Sequence, residues 1–191
     1  MRKELEEELK EWSEAIRSFH LPRWKELPDI DLYMDQVLNY VEKVLSVFSD
    51  GENKIITSSM VNNYVKQGVI RPPENKKYDR HRLAALFIIC LFKRILNIGE
   101  IDELIRTRKG QRGLDRDSAY DTFATDLEDA LRAFIPPDAE RMREVIDRID
   151  GVNPYYVTIL AFVNHIYAQK LIDLEKKNKL LEEGVPLREK K

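Results

Sequence analysis

The sequence predicts a mostly α-helical protein with one short β-hairpin and a C-terminal helical bundle. Three observations carry that expectation. Apolar residues recur at steps of three and four along most of the chain, as on one face of a helix. Charged residues make up 35% and apolar residues 43% of the 191, the balance of solvated helices around a core. Glycine (7) and proline (8) are too few for a turn-rich β fold. Strands and helices do not alternate, so α/β nucleotide-binding folds have no support.

The first helix spans 3–19, with Leu5, Leu9, Trp12, Ile16 and Phe19 on one side, and Pro22 ends it. A two-proline connector, LPRWKELPD, follows. Asp31 is the expected N-cap of a helix reaching Phe48, with Met34, Val37, Leu38, Val41, Val44 and Leu45 inward. The cluster 49–53 forms a turn. Thr57 caps a short helix to Gln67, and Gly68 stands where a left-handed residue would end it. Val69–Ile70 and Lys77–Tyr78 are the expected arms of the hairpin around Pro72–Pro73–Glu74–Asn75. Asp79 opens an apolar helix, Leu83 to Leu96, and a short helix follows to about Arg106. Residues 107–116 read as a basic loop. Asp117 or Ser118 caps the next helix, which Pro136–Pro137 stops; another covers 138–149, with Gly151 after it. Asn153–Pro154 starts a last helix to about Glu183.

Charge divides the chain more sharply than its net value of -2. Residues 1–53 carry 7 bases and 13 acids, residues 54–116 carry 14 and 6, and residues 117–191 carry 11 and 15. Together with the composition breaks this gives an N-terminal helical arm (1–20), a central region (21–116) and a C-terminal helical region (117–191). A basic centre between acidic flanks is the outline of a polyanion-binding module, or of bases pairing with their own flanks. The N-terminus lacks the pattern of a signal peptide, and the longest apolar run, Leu83 to Phe92, is too short to span a bilayer. A soluble, cytoplasmic protein is expected.

Catalysis has no visible basis, so the chain is read as not an enzyme. His20, His81 and His165 lie in separate segments, none with a second ligand at helical spacing, so neither a metal nor a cofactor is expected. Cys90, inside LAALFIICLF, reads as a small buried hydrophobe. Asp126, Glu128 and Asp129 read as a solvated face.

The informative stretch is 54–105. On the helix from Thr57, Met60, Val61, Tyr64 and Val65 form the apolar side, leaving Ser58, Ser59, Asn62, Asn63 and Lys66 opposite. Serine and asparagine lower helix propensity but suit base and phosphate contacts. Arg71, Lys76, Lys77, Arg80 and Arg82 follow, a composition that tracks phosphates.

Tyr64, Gly68, Val69, Ile70 and Pro72, then Tyr78, Leu83, Leu86 and Ile89, then Glu100–Ile101 and Leu104–Ile105, resemble the winged helix-turn-helix of MerR-like transcriptional regulators. The resemblance implies that helix 57–67 enters the major groove of double-stranded DNA, that Lys76 and Lys77 lie on the wing, and that Tyr64 approaches the backbone. Asn62 stands where that family usually has a base, and some eight residues separate the two helices of the motif. LPRWKELPDIDLYMDQV with ITSSMVNNYVKQGVIRPPENKKYDRHRLAAL is similar to a Gram-positive bacterial family catalogued as domain of unknown function 1836, over roughly 20–170.

The functional expectation is a DNA-binding transcriptional regulator. It uses helix 57–67 and the basic wing 71–82, with Ser58, Ser59, Asn62, Asn63, Tyr64, Lys66, Arg71, Lys76, Lys77, Arg80 and Arg82 at the interface. The alternative is a non-catalytic protein-interaction module reusing a winged helix fold. A third reading is a small-molecule sensor with a pocket among Tyr120, Phe123, Phe134, Tyr155 and Phe162. In helix 154–183, Leu160, Asn164, Tyr167, Leu171, Leu174, Asn178 and Leu181 form a heptad seam, open to a homodimer or to packing inside the monomer.

Overall fold

The computed structural model describes residues 2–49, 51, 53–109, 116–147 and 153–183. Among these it has eight α-helices and one two-stranded antiparallel sheet, confirming a mostly α fold. In chain order these are α1 (Lys3–Arg17), β1 (Leu32–Tyr33), α2 (Met34–Val44), α3 (Ser58–Lys66), β2 (Lys77–Tyr78), α4 (Arg80–Phe92), α5 (Ile98–Lys109), α6 (Arg116–Phe134), α7 (Ala139–Asp147) and α8 (Pro154–Glu182). Single 3-10 turns lie at Trp24–Glu26 and Ser46–Phe48.

One continuous core runs from Ile16 to Ile166. At its centre is α4, apolar on every side and therefore buried: Leu86, Phe87, Ile89 and Phe92 are inaccessible. Phe92, Phe123 and Tyr155 meet edge to face, with ring centroids 5.5–5.6 Å apart. The aromatics expected to line a sensor pocket are thus core: Tyr120, Phe123, Phe134, Tyr155 and Phe162 are all buried. Cys90 is buried too, and burial pushes its thiol up to about 12.

The N-terminal helix packs into this core rather than standing as an arm. It lies antiparallel to the end of α8, and also touches α6. The Arg2 guanidinium donates to Leu181 O (2.7 Å), Lys170 and Lys177 both donate to Glu8 Oε1 (2.6 and 2.7 Å), and Trp12 stacks on Tyr167. The expected seam of α8 therefore divides. Leu160, Tyr167, Leu174 and Leu181 are covered wholly or partly, whereas Asn164 and Leu171 remain exposed. The two asparagines bond within their own helix, Asn164 to Leu160 O and Asn178 to Glu182.

Several boundaries are corrected. Asp31 does not cap α2, because the chain stays extended through Leu32–Tyr33 to pair with Lys77–Tyr78. The helix starts after Tyr33, whose N–H is accepted by Gln36 Oε1 at 2.9 Å. It ends at Val44 instead of Phe48, tightening into the 3-10 turn that the Arg94 guanidinium holds through Phe48 O. The hairpin partner of Lys77–Tyr78 is β1, not Val69–Ile70. The fourth helix closes at Phe92, short of Leu96, and α5 extends past Arg106 to Lys109. Residues 110–115 of the expected basic loop, and Gly151, lie outside the described residues. Glu128 is not on a solvated face: it is 4% exposed and anchors the two-proline connector.

Candidate nucleic-acid interface

The short helix α3 is held at both ends by local chemistry. Thr57 Oγ1 accepts the Met60 N–H at 3.3 Å, as an N-cap does. Gly68 adopts φ +75°, and the Val69 N–H returns to Tyr64 O at 3.0 Å, closing a Schellman turn. The loop before α3 is pinned as well. Ile55 and Ile56 are buried, the Lys93 ammonium holds Ile55 O, and Glu42 accepts the Ile56 N–H at 3.1 Å. The long interval between α2 and α3 is thus an anchored connection that fixes how α3 enters.

Val61 and Tyr64 seat α3 in the core, with Met60 and Val65 half-buried beside them. Ser58, Ser59, Asn62, Asn63 and Lys66 all face solvent, as does Gln67. Tyr64 is corrected: it is 6% exposed, and burial pushes its phenol up to about 12, so it supports the helix from within.

A tight turn follows. Glu74 and Lys77 exchange both backbone hydrogen bonds (3.0 and 2.9 Å), and Asn75 and Lys76 take φ +50° and +64°. Two successive positive φ values define a type I′ turn, the form that matches strand twist. Lys76 stands at its exposed tip. The sheet behind it has two faces: Leu32 and Tyr78 pair on the buried one, Tyr33 and Lys77 on the outer one. There the Lys77 ammonium sits 5.0 Å from the centre of the half-exposed Tyr33 ring.

The basic cluster separates into outward and inward members. Arg71 and Lys76 are exposed and Lys77 is half-exposed. Arg80 instead donates to Pro28 O (3.2 Å) and lies over the Trp24 ring. Arg82 is corrected most clearly, being 7% exposed. Its guanidinium donates to Arg71 O, Pro72 O and Glu74, and pairs with Asp79 at 2.7 Å. Burial works against that charge, but Glu74 and Asp79 outweigh it and raise the pKa of Arg82. Arg82 therefore staples the 74–77 turn to the start of α4, whose N-cap is Asp79 (Asp79 Oδ1 accepts the Arg82 N–H at 2.8 Å). Glu74, at the start of that turn, is engaged by the staple at 2.9 Å.

Sequence reasoning missed Tyr33 and the stapling role of Arg82. The first depends on a two-residue pairing across forty-odd positions, which leaves no periodicity to read. The second carried the signal of charge alone, which does not say whether an arginine faces in or out.

Elsewhere, Glu128 binds the connector. It accepts from Leu21 N (3.0 Å), takes both Arg23 nitrogens (2.6 and 2.9 Å) and meets Arg132 (3.1 Å). His20 bridges it to Glu26. Burial pushes the Glu128 carboxyl up, but Arg23 and the Leu21 N–H outweigh it, and its pKa is lowered.

Together these features define a single-core helical protein that presents a short polar helix and a basic turn on one stretch of chain. The chain belongs to the family described as Domain of unknown function (DUF1836), whose profile matches residues 22–123. That span contains α2 through α5, both strands and the start of α6. No curated protein and no solved structure matches the chain. Among the described residues, no group of three or more histidines, cysteines or carboxylates is arranged to hold a metal, and no helix is long and apolar enough to cross a membrane.

Proposed function

We propose that this chain is a DNA-binding transcriptional regulator of the MerR-like winged helix-turn-helix type. The helix α3 would offer Ser58, Ser59, Asn62 and Asn63 to base edges in the major groove. Lys66, Arg71, Lys76 and Lys77 would contact phosphates, and Arg80 and Arg82 would hold the wing in place. The observation that carries the reading is the uncovered Ser/Asn/Lys side of α3, followed within a few residues by a rigid lysine-tipped turn. A helix meant only for packing gains nothing from four short polar residues that disfavour helicity.

Selection of bound duplexes from a random DNA pool, followed by anisotropy titration at several salt concentrations, tests it. A selected sequence with strongly salt-dependent affinity is the expected result. Absence of salt-sensitive binding to any duplex at low ionic strength overturns it.

Pairing of two copies through helix 154–183 would suit two DNA half-sites one helical turn apart. What supports it is the outward line Val157, Asn164 and Leu171 that α1 leaves uncovered. Light scattering at tens of micromolar decides this point, and a monomer would leave single-site DNA binding intact.

The second reading, a protein-interaction module, draws on Tyr33, 50% exposed beside Lys77, and on Ile30, 68% exposed. It predicts capture of a protein partner that is lost in Tyr33→Ser, with no DNA binding.

A further inference from the structure

On the outer face of the β1–β2 ladder, Tyr33 stands directly opposite Lys77. Their strand neighbours Leu32 and Tyr78 are buried on the inner face, and the alternation of a strand turns Tyr33 and Lys77 outward. Both backbones are fixed. Tyr33 is held by the ladder and by its N–H, which donates to Gln36 Oε1 at the start of α2. Lys77 is held by the two backbone bonds it exchanges with Glu74 across the turn.

The Lys77 ammonium lies 5.0 Å from the centre of the Tyr33 ring. Among the described residues no carboxylate pairs with it, because Glu74, the acid of its own turn, is taken by Arg82. Lys77 is thus a positioned cation that keeps its charge for another partner, next to the exposed Lys76. Strand propensity and the cation contact both account for an aromatic ring at position 33, but neither uses a hydroxyl. Phenylalanine would serve both. The Tyr33 hydroxyl has no partner among the described residues, and the residue is half open to solvent. A phenol and an ammonium side by side, each a donor, are complementary to a single anion. Two hydrogen bonds of about 2.7 Å, one on either side of that anion, match their spacing.

We propose that Tyr33 and Lys77 together grip one phosphate of the duplex backbone, the Tyr33 hydroxyl and the Lys77 ammonium each donating a hydrogen bond to it. The inference rests on the DNA-binding reading and adds Tyr33 to it as a backbone contact. A lysine by itself is a point charge on a flexible stem and tolerates many phosphate positions. A phenol fixed on a strand does not, so the pair sets where the turn sits along the backbone, without reading sequence.

Tyr33→Phe keeps the ring, the ladder and the cation contact and removes only the hydroxyl; an unchanged circular dichroism spectrum and Tm check its fold. In anisotropy titrations it is expected to weaken binding about tenfold on selected and scrambled duplexes alike. The slope of log K against log salt is expected to stay the same, since no charge is lost, whereas Lys77→Ala is expected to lower it by about 1. Replacing single phosphates of the selected duplex by neutral methylphosphonates then locates the contact. One position is expected to weaken the unmodified chain strongly and both variants much less, and it is expected to be the same position for the two. An unmodified chain that binds no duplex overturns the DNA-binding reading and this pairing with it. If the unmodified chain binds, equal affinity of Tyr33→Phe, or a loss of sensitivity at different phosphates in the two variants, overturns the pairing alone.

Discussion

Glu128 shows how one side chain can hold an irregular segment. The connector between α1 and β1 lacks helical hydrogen bonds of its own over Leu21–Arg23, and the Glu128 carboxylate supplies partners for Leu21 N–H and the Arg23 fork. Replacing it by alanine leaves a half-buried arginine and a buried N–H without their acceptor. Glu128→Ala is expected to cost about 2–3 kcal/mol, below the full penalty of a broken buried pair because Arg23 keeps some contact with water. The shift of the urea midpoint at neutral pH measures it. The acid limb of stability follows from the same group. Its folded pKa is lowered, so as pH drops below the ordinary carboxyl value near 4.5 the unfolded chain takes up the proton first. The stability it contributes is complete at neutral pH, declines as pH falls, and is gone below the folded pKa. Glu128→Ala should therefore flatten the loss of stability as pH falls below about 5. Gly68 is the other decisive residue. Its φ of +75° is strained for any side chain, yet an added Cβ would meet nothing within 4 Å. Gly68→Ala is thus expected to cost about 1 kcal/mol from the backbone alone, read as a lower Tm with the circular dichroism spectrum unchanged.

At the level of elements, the sequence was most legible where a chain end carries its own marker. Thr57, Asp79 and Asn153 are N-caps in the structure, each accepting a backbone N–H from the first turn, and Gly68 ends α3. These signals are local, and local chemistry decides them. The polar side of α3 was legible for the same reason: helical period alone places Ser58, Asn62 and Lys66 opposite Val61 and Tyr64. The pairing of β1 with β2 was not, because two-residue strands lack a pattern and their partner is set by tertiary packing. Nor could the direction of Arg82 be read, since Glu74 and Asp79 are neighbours only once the turn has closed. With Arg82 fixed inside, Lys76 and Lys77 are the cations offered at the turn. Lys76→Ala with Lys77→Ala is expected to weaken binding to every duplex alike and to reduce the slope of log K against log salt by about 2, roughly one for each phosphate no longer neutralised. Asn62→Ala with Asn63→Ala should instead cost about 1–3 kcal/mol on the selected sequence and little on random DNA. Fluorescence anisotropy on a selected and a scrambled duplex separates the two outcomes.

For the molecule as a whole, composition breaks suggested three segments, whereas burial joins them. Charge marks which surface each segment shows to water, but it does not reveal which helices share a core. The first helix reaches α8 through Trp12, Glu8 and Arg2, and α6 reaches the connector through Glu128. The family-matched residues 22–123 end inside α6, so part of their packing comes from helices beyond the match. Such a core should unfold as one unit. The two tryptophans lie on opposite sides of this question: Trp12 on α1 against α8, and Trp24 in the connector against His81 and Arg80. Trp24→Phe and Trp12→Phe each leave one reporter. Their fluorescence transitions in urea are expected to coincide with each other's circular dichroism transitions, because separating α1 from α8 exposes the same core that Trp24 borders. An early Trp12 transition with Trp24 still folded would mean that α1 and α8 form a separable layer.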